Sequence, residues 1–107
     1  MVFRDLNQDK EREVFPGYHA RFVHSDNMTV AYFNIKKGHP APEHTHPNEQ
    51  ICNVISGEFE LTVEGEARVM KPGMVAVIPG NAKHSGVSKT DCRIMDVFYP
   101  VREDLRR

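Results

Sequence analysis

A chain of 107 residues, 39% hydrophobic and 27% charged, has room for one compact core and the composition of an ordinary globular domain. Its formal charge of -1, with Lys and Arg scattered among the acids, leaves no basic footprint, so neither nucleic acid nor a membrane surface is expected as a partner. The longest apolar run, Met74 to Ile78, is far too short to cross a bilayer and the start MVFRDLNQDKEREV is too charged for a signal peptide, so a cytoplasmic location is expected.

Residues 1–16 are polar, and NQDKERE within them is the one candidate for helix or disorder. From there on, Gly, Pro, Asn and Asp interrupt the chain roughly every eight to twelve residues with alternating runs between them, which is an all-β pattern. Met28 to Ile35 sets Thr29, Ala31, Phe33 and Ile35 on one face and Met28, Val30, Tyr32 and Asn34 on the other. In EFELTVE, Phe59, Leu61 and Val63 alternate with Glu58, Glu60, Thr62 and Glu64, so one side faces a core. Glu64-Gly65 fits a two-residue hairpin loop that returns ARVMK beside it. Corners at KPG and PGNAK bracket MVAVI, and strands at His84 to Ser88 and Cys92 to Tyr99 follow. Roughly eight short strands with tight turns predict a single domain over 1–107: a small antiparallel β-barrel or jelly roll over about 17–100, with 101–107 as a C-terminal segment. Cys52 and Cys92 have no framework spacing and read as reduced, buried side chains.

Two histidines one residue apart in HTHPNEQ raise the question of a metal. On an extended strand His44 and His46 project together, and Gln50 joins them if the intervening PNE bends without losing phase. A third nitrogen is available from His84, just after the Pro79-Gly80 corner. Three imidazoles and an amide oxygen suit one divalent transition metal, Ni, Zn, Fe or Mn, and leave positions for water or substrate. The same spacing also suits solvated histidines, which His19, His24 and His39 are expected to be.

In CRIMDVFYP the even positions Cys92, Ile94, Asp96 and Phe98 share one face, and Arg93, Met95, Val97 and Tyr99 the other. Asp96 then either points into a partly dry interior, where desolvation raises its pKa and a metal lowers it, or caps a turn or pairs with Arg93 or Arg102. Arg102 either grips a substrate carboxylate through a bidentate pair or makes a surface bridge with Glu103 or Asp104.

GHPAPEHTHPNEQICNVISG, Gly38 to Gly57, resembles the first cupin motif, and GMVAVIPGNAKHSGVS, Gly73 to Ser88, is similar to the second. Three positions depart from the pattern: Gln50 replaces a glutamate, Asn81 a glycine and Ser88 an asparagine. DVFYPVREDL, Asp96 to Leu105, with HTHPNEQ and SGEFEL, resembles the single-domain cupins of the KdgF type. Members of that family with known activity convert the cyclic 4,5-unsaturated uronate released by polysaccharide lyases into its linear keto acid. The resemblance implies a cupin barrel, a metal on His44, His46, Gln50 and His84, and an active site that includes Asp96, Phe98 and Arg102. Asp96 would move a proton between oxygen and carbon, and Arg102 would hold the carboxylate of a small-molecule substrate. A neutral donor set leaves the full charge of a dication uncompensated, which strengthens a Lewis acid and weighs against redox cycling. The alternatives are a metal-dependent dioxygenase and a non-enzymatic metal- or ligand-binding module. Small cupins commonly pair through barrel faces, and an outer face carrying Met95, Val97 and Tyr99 suits a homodimer. Asn53 stands where related chains usually carry an aromatic residue. If it faces outward the change concerns a surface or interface; if it reaches the pocket it concerns substrate scope.

Overall fold

The structure, a computed structural model, describes residues 2–106. It contains strands β1 (Arg12–Phe15), β2 (Tyr18–His24), β3 (Thr29–Ile35), β4 (Pro40–His44) and β5 (Glu49–Ser56). There follow β6 (Phe59–Val63), β7 (Glu66–Met70), β8 (Val75–Ile78), β9 (His84–Ser88) and β10 (Cys92–Tyr99). The larger sheet has the order β1-β2-β3-β10-β5-β8, the smaller β4-β9-β6-β7, and the strand pairs are antiparallel. Among the described residues no helix is long and apolar enough to cross a membrane.

The all-β expectation holds, but the closed barrel does not form: the strands make a two-sheet jelly-roll sandwich. The physical reason lies in the large side chains that alternation turns inward. Tyr18, Ile35, Val54, Phe59, Leu61, Ile78 and Ile94 form the buried core, with Phe15, Phe33 and Val63 packed against it. Such a layer holds two sheets about 10 Å apart, well beyond the ~4.8 Å at which strand edges hydrogen-bond. Strand number also exceeds the expected eight. NQDKERE is neither a regular helix nor a coil throughout: a 3-10 turn at Leu6–Gln8 is followed by β1, which pairs with β2 as the edge of the larger sheet. Its charged residues suit an edge and hide the strand in a reading that looks for apolar alternation.

Elsewhere the alternation maps directly onto burial. Thr29, Ala31 and Ile35 of β3 are buried while Tyr32 is exposed, and Phe59 and Leu61 of β6 are buried. Val63 and Glu66 pair across a two-residue turn in which Glu64 (φ 47) and Gly65 (φ 81) are both left-handed, as the favoured hairpin turn requires. Cys52 and Cys92 are free and buried.

Gly57 turns the chain out of β5 towards the smaller sheet at φ 84, and a Cβ placed there would lie 2.1 Å from the Asp91 carbonyl oxygen. Both the positive φ and the backbone clash oppose any side chain. Gly57→Ala is therefore expected to lower unfolding stability by about 2 kcal/mol or more, read as a drop in denaturation midpoint. An unchanged midpoint would show that the Asp91 turn yields freely.

Candidate metal centre

In the smaller sheet β4 and β9 pair with His44 directly opposite His84. β4 ends at His44, and the chain then crosses to the larger sheet through residues 45–48 and enters β5, where Gln50 is the second residue. HTHPNEQ is thus not one strand in phase; it is a crossing between two sheets. That crossing folds Gln50 back onto His46, with His46 Nε2 3.1 Å from Gln50 Oε1. The loop after β8 clamps it from outside. Asn81 N–H donates to the His46 carbonyl at 2.8 Å, and Gly80 comes so close that a Cβ would lie 2.5 Å from the Pro47 carbonyl oxygen. Asn81 itself has φ 67, a left-handed conformation that asparagine tolerates better than other residues with a side chain, which explains how it replaces a glycine.

The three rings converge. Their centroids are 4.2 Å apart for His44 and His84, 4.8 Å for His46 and His84, and 5.9 Å for His44 and His46. One nitrogen from each lies within 4.8 Å of the others. In every ring Nδ1 faces a main-chain carbonyl: Pro42 at 2.8 Å for His44, Asn48 at 3.0 Å for His46 and Ala82 at 2.9 Å for His84. A carbonyl can only accept, so each Nδ1 carries the ring proton and each Nε2 presents a bare lone pair. His84 Nε2 is buried without any hydrogen-bond partner, and His46 Nε2 faces the Gln50 oxygen, another acceptor. Lone pairs turned towards one another repel unless a cation sits between them. The donor set therefore fits a divalent transition metal. Burial pushes His84 down to about 4, and burial followed by the Arg102 charge pushes His46 down, so both rings are poised as neutral ligands at neutral pH.

Asp96 lies on β10 with its side chain in the interior, its main chain in register with Cys52 on one side and Ala31 on the other. Burial pushes the carboxyl up to about 6, against the opposing pull of the Gln50 amide, the Cys52 thiol and the Arg102 charge. Its Oδ1 has no hydrogen-bond partner. Gln50 thus stands between the carboxyl and the histidines, and a Gln50 N–H turned to Asp96 leaves its oxygen facing His46. Asp96 makes no ion pair with Arg93 or Arg102 among those described and caps no turn.

Arg102 does form the bridge foreseen with Asp104, through Nε to Oδ1 at 3.0 Å and Nη2 to Oδ2 at 2.8 Å. It is nevertheless not a surface arginine: its side chain is 13% exposed, against 63% for Asp104, and its Cζ lies 4.8 Å from the centre of the Phe98 ring. Phe98 in turn meets His46 edge-on at 5.5 Å. His44, Gln50, His84, Asp96, Phe98 and Arg102 line one cavity of about 110 Å³ between the sheets, whose remaining walls are mainly carbon, among them Phe15, Phe33, Phe59, Leu61 and Ile94. The sequence reading missed Phe15, which lies 5.8 Å from His44, and Asn48, whose side chain ties the crossing to the Pro100 carbonyl. No spacing rule marks either; Asn48 stood in plain view inside HTHPNEQ. Asn53 points away from the cavity and bonds through Nδ2 to the Met95 carbonyl at 3.1 Å.

The profile of the cupin domain matches residues 31–98, the stretch that carries His44, His46, Gln50, His84, Asp96 and Phe98. The chain belongs to the cupin family. This cupin is 33% identical over 82 residues to the pectin degradation protein KdgF of Dickeya dadantii (strain 3937), covering 75% of this chain and 74% of that protein. It is 30% identical over 100 residues to the H2HPP isomerase of Bacillus subtilis, covering 91% of this chain but only 42% of that longer protein. Among solved structures, KdgF from Halomonas sp. superposes on it with a TM-score of 0.90 at 28% identity, over 98% of both chains.

Proposed function

We propose that this cupin, acting as one domain over 1–107, is a metal-dependent isomerase of small enolisable carboxylic acids. Its first expected substrate is a 4,5-unsaturated uronate, opened and ketonised to the linear keto acid. The observation that carries this reading is a dry carboxyl, Asp96, sharing one cavity with a convergent histidine cluster and a part-buried arginine. The likeness to KdgF proteins supports the substrate.

His44, His46, Gln50 and His84 would hold one divalent ion, which when bound supplies a Lewis acid that polarises a substrate oxygen. Arg102 would take the substrate carboxylate on the guanidinium edge that Asp104 leaves open. Opening the ring hemiacetal breaks its ring C–O bond, leaves an aldehyde and passes the anomeric hydroxyl proton to the ring oxygen as an enol. Asp96 would accept the proton of that enol oxygen and return a proton to carbon, so that the rearrangement balances without an oxidant or a reductant. Phe98, wedged between His46 and Arg102, would keep water from the reacting carbon.

A second reading, isomerisation of the H2HPP type, is favoured by the carbon-rich walls, which leave sugar hydroxyls few partners. The neutral Gln50 amide continues to weigh against a dioxygenase. The metal-loaded protein mixed with the unsaturated uronate decides, with the rearrangement followed by proton NMR. Acceleration over the spontaneous reaction is expected. No acceleration of the uronate, with acceleration of H2HPP, would transfer the assignment to the second reading.

We also propose a homodimer through the outer face of the larger sheet. Tyr32, Ile51, Ile55, Val75, Val77 and Tyr99 are exposed there, and Ile51 stands opposite both Val77 and Val97, so the apolar side chains are contiguous. Asn53 lies on this face, which makes its unusual identity a matter of the interface. Val77→Glu is expected to convert the dimer to a monomer in sedimentation with the metal retained; a monomeric wild type would remove the proposal.

A further inference from the structure

Arg102 follows the last strand and belongs to neither sheet, so the position of its guanidinium depends on what holds the segment it stands on. Its main-chain N–H donates to Thr29 Oγ1 at 2.9 Å. Thr29 opens β3, is completely buried and stands in register with Phe98. A hydroxyl that accepts from an amide has its own proton to give, and the neighbour waiting for it is His24 Nδ1 at 2.8 Å. The main-chain carbonyl of Leu105 lies beside the ring and favours its charged form, against the stronger effect of burial. Arg102 N–H donates to Thr29 Oγ1, and Thr29 O–H is then free to donate to the neutral His24 ring at Nδ1.

This relay starts at the head of the 3-10 turn Glu103–Leu105 that carries Asp104, and ties it to the buried start of β3 and the end of β2. Burial of His24, with Arg106, Arg12 and Arg4 nearby, disfavours its charged form and so keeps Nδ1 an acceptor. Asp104 then takes the Nε and Nη2 edge of Arg102, and the Phe98 ring supports its face. What remains is the edge formed by Nη1 and the second Nη2 hydrogen.

We propose that Thr29 and His24 are positioning residues for Arg102, a hydroxyl–imidazole clip that, with Asp104, presents one preset guanidinium edge to the carboxylate of the substrate. The proposal rests on the reading of Arg102 as the carboxylate anchor. An arginine held in advance loses little rotamer freedom on binding, and freeing it weakens the grip on ground state and transition state alike.

The test compares Thr29→Val with Thr29→Ser in the metal-loaded protein. It measures turnover of the unsaturated uronate and, without any substrate, the Arg102 Nε–H resonance and its solvent exchange. Thr29→Val is expected to raise KM roughly five- to tenfold with kcat and metal content kept, and to speed exchange of Nε–H, while Thr29→Ser restores both. Should Thr29→Val fail to fold, His24→Ala is read by the same two measurements. Unchanged KM and unchanged Nε–H exchange, or a serine variant that behaves like the valine one, would overturn the proposal. If the wild type leaves the uronate untouched, the functional reading fails while the Nε–H comparison still decides the clip.

Discussion

His84→Ala is expected to strip the metal from the protein while leaving it folded. Each of the three rings gives its Nδ1 proton to a carbonyl, so the metal affinity rests on three Nε2 lone pairs, and His84 Nε2 is the one with no other use. Removing one of three imidazoles from a chelate costs more than the roughly 10- to 100-fold that loss of an outer partner costs. Metal content of protein purified without a histidine tag should therefore fall from near stoichiometric to a trace. Gln50→Ala should weaken retention less, since a neutral amide oxygen is the poorest donor of the set. The fold should survive because a buried nitrogen without a partner is a liability in the metal-free state, and its removal offsets part of the lost packing. Two readouts separate these effects: metal analysis, and the rise in melting temperature on adding metal, which the wild type shows and the variant lacks. Retention of a full metal complement by His84→Ala would place the ion elsewhere.

How much of this was legible in the residues depends on which rule each feature obeys. Strict alternation told inside from outside where a strand has one wet face, so Phe59 and Leu61 could be assigned from the residues alone, while for Thr29 and Asp96 it gave the residues that share a face and not the side to which that face turns. The hairpin at Glu64-Gly65 obeys an equally local rule. Closure of the sheet is not local. Whether strands wrap into a barrel or stack as a sandwich depends on the bulk of side chains brought together from opposite sheets, such as Phe33 and Phe59, and nothing within one strand reports it. The HTHPNEQ crossing shows the same limit: two-residue spacing suggested one strand, yet His46 and Gln50 meet because the chain changes sheets between them. Arg102 shows it again. Its bridge to Asp104 was readable from spacing, but its burial beside Phe98 is set by Thr29 and His24, far away in the chain.

Asp96→Asn is expected to lower kcat by roughly a thousandfold, the scale of a lost proton-transfer group, with the metal kept. The substitution preserves volume and can still meet Gln50 and Cys52, so a structural role alone predicts a small effect. Only the ability to take up and return a proton is lost. The pH profile sharpens the distinction. Burial pushes this carboxyl up to about 6, while a dication bound nearby draws it down, so the loaded enzyme should show an acid limb with an apparent pKa at or below about 6. Below that limb Asp96 is protonated and cannot accept the enol proton, so kcat falls as pH falls and levels off above it. In Asp96→Asn the residual rate should lose this limb. If the variant keeps both the wild-type kcat and the limb, the proton is moved by another group, and the neutral Nε2-bearing rings or solvent become the candidates. If it loses the metal as well, Asp96 acts through Gln50 by fixing which end of the amide faces the histidines, and the carboxyl belongs to the metal centre instead of the chemistry.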